Sequence, residues 1–324
     1  MSELFFSYIP CINLKIFVPY LFLIGLSVGI ISSFLGIGGA WMVTPALNIM
    51  GFPMPYAIGT DIMHVAGKSC FSTYHHAKMK NIDYKLALYM VIGTVIGIEI
   101  GAKLIIYLEK LSIVDQVVRL SYIFFLIFIF IFIVMDMIKR KKNQEGFSFY
   151  KKLQKIKIRP IVYFQTSNIT CSLWLPIFIG LITGVLAGFL GIGGGLFRLP
   201  ALIYLLGCPA IIAVGTDVFE VLISGFYGAI SYSVKGRVDY FSFIVMLSGA
   251  SIGTKIGAIA TKYVNEKKII SGFGIALFGC LISLILKQYN YNKTALIVIF
   301  VTTSLLAIYI CIQPFKKYAA FKKT

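Results

Sequence analysis

Long apolar stretches separated by short polar ones run along most of the chain. Each stretch approaches or reaches the roughly 20 residues that an α-helix needs to cross a bilayer. The pattern predicts four segments in each half and one more near the C-terminus: 16–50, 54–76, 84–108, 112–138, 173–206, 209–234, 240–264, 267–287 and 294–312. Alternating segments of the β-barrel type are absent, and isolated strands leave backbone groups unpaired in lipid. We therefore expect an all-α polytopic membrane protein.

The composition supports this class of protein. The 324 residues are 59% hydrophobic and only 13% charged, which is more apolar than a water-soluble domain requires. The net charge is +18, and the densest basic run lies at 139–159, between two apolar blocks. Such a run is typical of a cytoplasmic loop that contacts anionic lipid headgroups. We expect a multi-pass protein of the cytoplasmic (inner) membrane, with membrane lipids and not nucleic acid among its partners.

Residues that would support catalysis or metal binding show no pattern. The six cysteines are scattered, without a CxxC pair or a neighbouring His cluster. No nucleophile–base motif is present, and neither is the strand–glycine–helix unit of a dinucleotide site. We therefore predict no catalytic residues, no metal site and no cofactor, and we do not expect an enzyme.

The second half of the chain repeats the first. At a shift of 155 or 156 residues the halves share three motifs: FLGIGG (34–39 and 189–194), IGTD or VGTD (58–61 and 214–217) and an Asp-Tyr pair (83–84 and 239–240). The sequence therefore predicts four parts: a first transmembrane repeat over 16–138, a basic cytoplasmic linker over 139–172, a second transmembrane repeat over 173–287 and an additional C-terminal transmembrane helix over 294–313.

Each FLGIGG interrupts the first helix of its half, so that helix either crosses the membrane or turns back. A re-entrant helix leaves three crossings per half and inverts the second half relative to the first. That arrangement places more Lys and Arg in the cytoplasm, including the C-terminal cluster Lys316, Lys317, Lys322 and Lys323. We therefore favour inverted repeats.

Glycines spaced by four residues run along the third long helix of each half: Gly93, Gly97 and Gly101, then Gly249, Gly253 and Gly257. This spacing places small residues on one helix face, where another helix can approach closely in lipid. We interpret both glycine rows as packing surfaces.

The paired glycine breaks are the candidate substrate site. A helix broken inside the membrane frees backbone N–H groups, and glycine lets an anion approach them. Repeats with interrupted helices at equivalent positions are typical of secondary transporters. The predicted substrate-binding residues near the breaks and the GT pairs are Gly36, Gly38, Gly39, Gly191, Gly193, Gly194, Thr60 and Thr216. The alternative is that the glycines provide a kink or a tight helix contact.

Ionisable residues follow each GT pair. Asp61, His64 and Lys68 lie at i, i+3 and i+7 on one helix face, and the second copy carries Asp217 and Glu220. Such groups are costly inside a membrane and usually face a cavity or each other. We predict that all five serve coupling, to a proton or to sodium, or gating. For the aspartates the alternative is a position near the helix start, where they stabilise the helix dipole.

Arg198 lies four residues after the second GIGG, where the first copy has Val43. Its guanidinium can bind two oxygens of a sulfonate or carboxylate at once. Alternatively, it neutralises Asp217 or Glu220. The sequence leaves both interpretations open.

With these motifs in view, the chain resembles the sulfite exporter family of membrane permeases, the TauE/SafE type. The resemblance covers 25–286 and rests on the paired breaks, Pro45 and Pro200, the GT pairs with Thr60 and Thr216, and the segments NIDYKLAL and RVDYFSFI. It implies a secondary transporter of sulfur oxyanions, organosulfonates and related small organic anions.

The chain departs from the family's usual pattern after the GT pairs. The family commonly has Ser or Asn there, whereas both copies here have Asp. The following helix is usually apolar, whereas here it carries His64, Lys68 and Glu220. These acids and bases either bind a coupling ion or admit a different substrate.

Three functional hypotheses follow. The first is a secondary transporter of small anions, such as sulfite or organosulfonates. The second is a cation-coupled or cation-selective transporter that uses Asp61 and Asp217. The third is a non-transporting membrane assembly or sensing subunit whose basic linker docks a protein. Substrate identity, direction of transport and oligomeric state stay open at this point.

Overall fold

The computed structural model describes residues 6–9, 13–35, 40–141, 158–191, 194–261 and 266–321. Within these residues the chain forms four short strands: β1 (Phe6–Ile9), β2 (Leu14–Phe17), β3 (Ile161–Phe164) and β4 (Ile169–Ser172). It also forms eleven α-helices: α1 (Val18–Leu35), α2 (Ala40–Ile49), α3 (Met54–Lys78), α4 (Tyr84–Lys110), α5 (Val114–Lys141), α6 (Trp174–Leu190), α7 (Gly195–Pro200), α8 (Ala210–Val234), α9 (Tyr240–Thr261), α10 (Glu266–Gln288) and α11 (Asn292–Phe321).

Five of the described helices are long and apolar enough to cross a membrane: α4, α5, α8, α9 and α11. The helix starts follow local sequence signals. α3 and α8 each begin directly after a proline, Pro53 and Pro209. α4 begins after Asp83, whose carboxylate accepts a hydrogen bond from the Leu86 backbone N–H. The prediction of an all-α polytopic membrane protein is confirmed.

The first helix of the second half is broken, as predicted. In the first half α1 ends at Leu35 and α2 begins at Ala40, and the residues between them lie outside the described part of the chain. In the second half α6 ends at Leu190, and Gly191 caps it with a φ of 72°. Gly194, with a φ of 76°, precedes α7, which continues as a π-helix over Ala201–Leu205. Of the predicted glycines, four lie outside the described residues: Gly36, Gly38, Gly39 and Gly193.

The halves exchange their first helices. α1 packs along α9 so closely that a Cβ added to Gly25 would lie 2.0 Å from the Met246 carbonyl oxygen. One turn later, a Cβ on Gly29 would lie 2.8 Å from Ala250 Cα, so these two helices run parallel. α4 and α6 pack in the same way through one predicted glycine row: Gly93, Gly97 and Gly101. The interpretation of the glycine rows as packing surfaces is confirmed.

The equivalent helices α3 and α8 cross in opposite directions. A Cβ on Gly228 would lie 2.8 Å from Ile62 Cγ2. Further along α3, the Thr73 hydroxyl donates to the Val218 carbonyl oxygen at 3.3 Å. Residue numbers therefore rise on α3 as they fall on α8. Equivalent helices that run antiparallel mean that the repeats are inverted, as favoured from the sequence.

The GTD motif joins the two halves. A Cβ on Gly59 would lie 1.9 Å from the Arg237 carbonyl oxygen, so only glycine lets this loop of the second half approach. The next residue, Thr60, accepts a hydrogen bond from the Asp239 backbone N–H at 2.8 Å. The Asp239 carboxylate in turn accepts from the Ser242 N–H at the start of α9.

The second GTD motif makes the same joint in reverse. A Cβ on Gly215 would lie 2.4 Å from the Asn81 carbonyl oxygen. Thr216 accepts a hydrogen bond from the Asp83 backbone N–H at 2.9 Å. The aspartate of each Asp-Tyr pair therefore caps α4 or α9, and its backbone N–H donates to the threonine of the GTD motif in the other half.

Two β-hairpins are a difference from the predicted all-helical pattern. β1 pairs with β2, and β3 pairs with β4, both antiparallel. The hairpins are equivalent at a shift of 155 residues: the hydroxyls of Tyr8 and Tyr163 donate to Asn13 and Asn168, both of which have positive φ. Strands of four residues leave too weak an alternation to be recognised among apolar helices. The structure thus adds a hairpin before the first helix of each half.

The hairpin of the second half contacts a helix cap. Its tip residue Ser167 donates from both its backbone N–H and its hydroxyl to one oxygen of Asp83, at 3.0 and 2.6 Å. This part of the predicted linker is therefore ordered against the membrane-spanning helices.

α11 follows the second half as the predicted additional helix. It packs on α10, where the Ser283 hydroxyl donates to the Ala295 carbonyl oxygen at 2.9 Å. It also contacts α1 and α9. The added helix therefore covers the pair formed by α1 of the first half and α9 of the second.

Candidate functional site

A first charged cluster lies on α3 and consists of Asp61, His64 and Lys68, none of them more than 1% exposed. The hydroxyl of Thr44 on α2 donates to Asp61 Oδ2 at 2.8 Å. His64 Nδ1 lies 3.6 Å from Asp61 Oδ1. Lys68 follows one turn after His64. The helix face that these three residues share is thus buried inside the protein. At one end of this face, Asp61 accepts the hydrogen bond from Thr44.

Thr44 also connects the first cluster to the glycine break of the second half. Its hydroxyl lies 3.4 Å from the carbonyl oxygen of Gly191, which ends α6. A Cβ on Gly191 would lie 2.9 Å from the same hydroxyl. The short helix α2 of the first half therefore contacts the end of α6, at the break of the second half.

A second charged cluster consists of Arg198 on α7 with Asp217 and Glu220 on α8, all three fully buried. Arg198 Nη1 lies 3.1 Å from Asp217 Oδ1 and makes a still closer contact with Glu220 Oε2. Its Nε donates to the hydroxyl of Thr183 on α6 at 3.4 Å. Of the two interpretations left open by the sequence, this geometry matches the one in which Arg198 neutralises the two acids.

Several polar atoms of the two clusters have no hydrogen-bond partner among the described residues: Asp61 Oδ1, His64 Nδ1 and Nε2, Lys68 Nζ, Arg198 Nη2, Asp217 Oδ2 and Glu220 Oε1. Buried polar atoms in native proteins are nearly always hydrogen-bonded, and each exception calls for a specific explanation. This concentration of donors and acceptors, inside an otherwise apolar helix bundle, suits the binding of a small polar ligand.

The clusters lie where the two halves meet. Val65 on α3 packs against Val221 on α8, and these residues are equivalent at a shift of 156. Equivalent residues in contact mark the pseudo-two-fold axis that relates the halves. Each cluster thus lies within about one or two helix turns of that axis. Any motion of one half against the other changes the surroundings of both clusters.

The other predicted residues lie in different places. Thr60 and Thr216 are fully buried but belong to the joints between the halves, where their hydroxyls accept backbone hydrogen bonds. Their predicted role as substrate donors stays a prediction. Gly194 lies beside the second cluster, because a Cβ there would lie 2.4 Å from Arg198 Nη2.

Sequence reasoning missed the two threonines that hold the clusters, Thr44 and Thr183. Thr44 follows the first break by a few residues and could have been found by comparing the halves, since the equivalent residue is Leu199. Thr183 gives the same signal, since its equivalent is Val28, but its partner Arg198 lies fifteen positions away on another helix and could not be identified from the sequence. Among the described residues, no group of three or more His, Cys, Asp or Glu is placed to hold a metal ion.

Comparisons with known proteins agree on a membrane transporter. The chain is 27% identical over 270 residues to the "Probable membrane transporter protein YunE" of Bacillus subtilis, covering 80% of this chain and 95% of that protein. It is 26% identical to the B. subtilis "Probable membrane transporter protein YjnA", covering 73% and 87%. It is 27% identical to the "Probable membrane transporter protein MJ0441" of Methanocaldococcus jannaschii, covering 68% and 74%. No solved structure shows significant similarity to the chain.

The sequence profile of the family described as "Sulfite exporter TauE/SafE" matches residues 21–284. This span runs from α1 through most of α10 and includes both breaks, both GTD joints and both charged clusters. It leaves out α11 and the first hairpin. The chain belongs to the sulfite exporter TauE/SafE family of membrane transporters.

Proposed function

We propose that the protein is a secondary transporter that carries small anions across the cytoplasmic membrane, with sulfite, organosulfonates and related organic anions as the substrate class. One observation carries the proposal. Buried, unpartnered donors lie at the crossing of two inverted halves, beside the glycine break at Gly191. Substrate sites of transporters built from inverted repeats lie at that interface.

Alternating access follows from the same arrangement. Each half lends its first helix to the other, so the moving bodies are α1 with α9 and α4 with α6. Rocking these pairs about the α3–α8 crossing exposes the charged clusters to one side of the membrane at a time.

Charge balance favours ion coupling. The buried side chains of the two clusters include three carboxylates (Asp61, Asp217 and Glu220) and two permanent or basic cations (Lys68 and Arg198). Adding an anion makes the interior more negative, and burying uncompensated charge is strongly unfavourable. Uptake of a proton or a sodium ion with the anion restores the balance. His64 and the carboxylates are the candidate carriers of the proton.

The test is transport by purified full-length protein in proteoliposomes. Labelled sulfite, taurine and a small carboxylate are offered under an inward proton gradient, an inward sodium gradient or neither. We expect uptake of at least one anion, accelerated by one gradient and abolished when that gradient is collapsed. Uptake equal to that of protein-free liposomes, for every anion and gradient, would refute the proposal.

The three buried carboxylates also favour a second candidate, a transporter that selects a cation. The same liposomes distinguish the two when labelled sodium replaces the anion. Under this second hypothesis, sodium uptake proceeds without any of the anions, and Asp61→Asn and Asp217→Asn each abolish it. Under the first, sodium enters only together with an anion or not at all.

A further inference from the structure

Among the described residues only two lysine or arginine side chains are fully buried, Arg198 and Lys68. Their surroundings differ sharply. Arg198 shares one nitrogen between Asp217 and Glu220, so its charge is more than neutralised. Lys68 Nζ has no hydrogen-bond partner and no carboxylate within 4.0 Å in the described part of the chain. Lys68 is therefore the buried cation without a direct partner in the described part of the chain, and Asp61 on the same helix face acts on its charge only from a distance.

The surroundings of Lys68 give its ammonium no direct partner. It lies near the middle of α3, one turn after Val65, which touches its equivalent Val221 across the halves. The side chain is 1% exposed, so its ammonium does not extend to water as surface lysines do. The carboxylate on the same helix face, Asp61, is already engaged by Thr44 and lies against His64. The three ammonium donors therefore face no acceptor in this buried place, and an anionic ligand would supply one.

Two histidines on α3 provide an internal comparison. His76 is fully buried, and both of its ring nitrogens are partnered, by the Ser33 carbonyl oxygen and by Asn81, each at 3.1 Å. His64 is equally buried, yet neither of its ring nitrogens has a hydrogen-bond partner. The same helix thus carries one histidine with a structural role and one with free donor capacity. The free one lies four residues from Lys68, on the same face.

We propose that Lys68 supplies the positive charge that holds the transported anion, and that His64 donates beside it. This inference rests on the proposed function, because it names the residues that recognise that transporter's substrate. An ammonium is a compact charge whose donors have no fixed plane, unlike the planar fork of an arginine. The site therefore recognises the charge of a small oxyanion headgroup and accepts sulfite, sulfonate and carboxylate groups of similar size.

The experiment measures uptake kinetics in proteoliposomes for three variants. Lys68→Gln removes the charge, Lys68→Arg keeps it, and Lys103→Gln removes an exposed charge on α4 as the matched control. Losing one charge-assisted hydrogen bond to the anion raises KM roughly 10- to 100-fold in Lys68→Gln. Lys68→Arg keeps KM closer to that of the natural protein, and Lys103→Gln leaves it unchanged. Sulfite and taurine compete with each other in the natural protein.

A binding readout keeps the inference testable without flux. The unfolding temperature of the detergent-solubilised protein is measured with and without the anion. The natural protein and Lys103→Gln are stabilised by the anion, whereas Lys68→Gln loses this stabilisation. Without the anion, Lys68→Gln is about as stable as the natural protein, because no hydrogen bond or direct ion pair of Lys68 is lost.

The outcomes separate the inference from the proposed function. If Lys68→Gln keeps the KM of the natural protein or its anion-dependent stabilisation, Lys68 does not hold the anion, although anion transport stands. A large drop in the stability of Lys68→Gln without the anion shows a structural role and also overturns the inference. If the natural protein neither transports nor is stabilised by any of the anions, the proposed function fails and the inference fails with it.

Discussion

The two charged clusters occupy equivalent places in a duplicated chain, yet their side chains are paired differently. Three aligned positions differ between them: Val43 and Arg198, His64 and Glu220, Lys68 and Ser224. The second cluster is an ion-paired group whose basic member is neutralised twice. The first leaves both its lysine and its histidine without hydrogen-bond partners among the described residues. The two halves thus share one scaffold, and substitutions at three aligned positions give one cluster direct ion pairs and the other side chains without them.

The contacts that are alike in both halves are the hydrogen bonds of the GTD motifs and the helix contacts of the glycine rows. Both GTD triplets hold a helix cap of the opposite half through the same hydrogen bond, 2.8 Å from Thr60 and 2.9 Å from Thr216. Both glycine rows give equally close helix contacts. Substitutions at equivalent positions of the GTD motifs or the glycine rows should therefore have equal effects on stability. Substitutions at equivalent positions of the charged clusters should have unequal effects.

The largest effect is expected at the second cluster. Arg198→Gln leaves two buried carboxylates without their cation, and breaking a buried ion pair on one side destabilises a protein by about 3–5 kcal/mol. We expect the free energy of unfolding, measured by denaturant titration in detergent, to fall by that amount. Lys68→Gln in the first cluster should not lower it.

The control for this prediction removes the acids as well. The triple variant with Arg198→Gln, Asp217→Asn and Glu220→Gln leaves no unpaired charge and should recover most of the lost stability. A single Arg198→Gln variant as stable as the natural protein would contradict the ion-paired description of this cluster.

The glycine rows should respond next and equally. A Cβ on Gly97 would lie 2.4 Å from the Leu181 carbonyl oxygen, and one on Gly253 would lie 2.3 Å from that of Leu26. Gly97→Val and Gly253→Val should each lower the free energy of unfolding by about 1–3 kcal/mol, because neither backbone can move aside freely. Ile96→Val, on the exposed side of α4, serves as the control and should have no measurable effect. Clearly unequal losses in the free energy of unfolding would contradict the equivalence of the two glycine rows.

The threonine joints test the same equivalence with a smaller change. Thr60→Val and Thr216→Val each leave a buried backbone N–H unpaired, which destabilises by about 1–2 kcal/mol. Thr60→Ser and Thr216→Ser keep the accepting oxygen and should restore most of the loss in a thermal unfolding series. If the valine variants unfold at the temperature of the natural protein, the joints do not hold the halves together.

The smallest effect is expected at the hairpin of the second half. Ser167→Ala removes the hydroxyl contact with Asp83 and keeps the backbone one, a change of about 0.5–1 kcal/mol. The expected readout is local: amide hydrogen exchange in β3 and β4 should become roughly 2- to 5-fold faster, with global stability unchanged. Thr166→Ala, at an exposed neighbouring position, is the control. Unchanged exchange in Ser167→Ala would mean that the backbone contact alone fixes the hairpin.

Much of the architecture could be predicted because the length of each apolar stretch and the repetition of the motifs can be read directly from the sequence. The predicted segments 54–76 and 240–264 agree with α3 and α9 within a few residues. The face shared by Asp61, His64 and Lys68 followed from their spacing alone. The distribution of Lys and Arg predicts the inverted arrangement, and the two FLGIGG motifs predict the helix breaks.

The remaining features depend on contacts between distant parts of the chain. The role of Thr60 could not be read from its neighbours, because its partner lies 179 residues away. The two interpretations of Arg198 could be separated only when α7 was placed beside α8. The hairpins were missed because four-residue strands give little alternation to detect.

The exchange of first helices has a consequence for how the protein is made. The glycines of α1 reach their partner α9 only after about 220 further residues have been synthesised, which takes roughly 10–45 s at about 5–20 residues per second. During that interval the close-packing surface of α1 is covered by lipid or by the insertion machinery rather than by its native neighbour. The first half therefore lacks this helix contact until the second half has been synthesised, and the packing of both halves is then completed together.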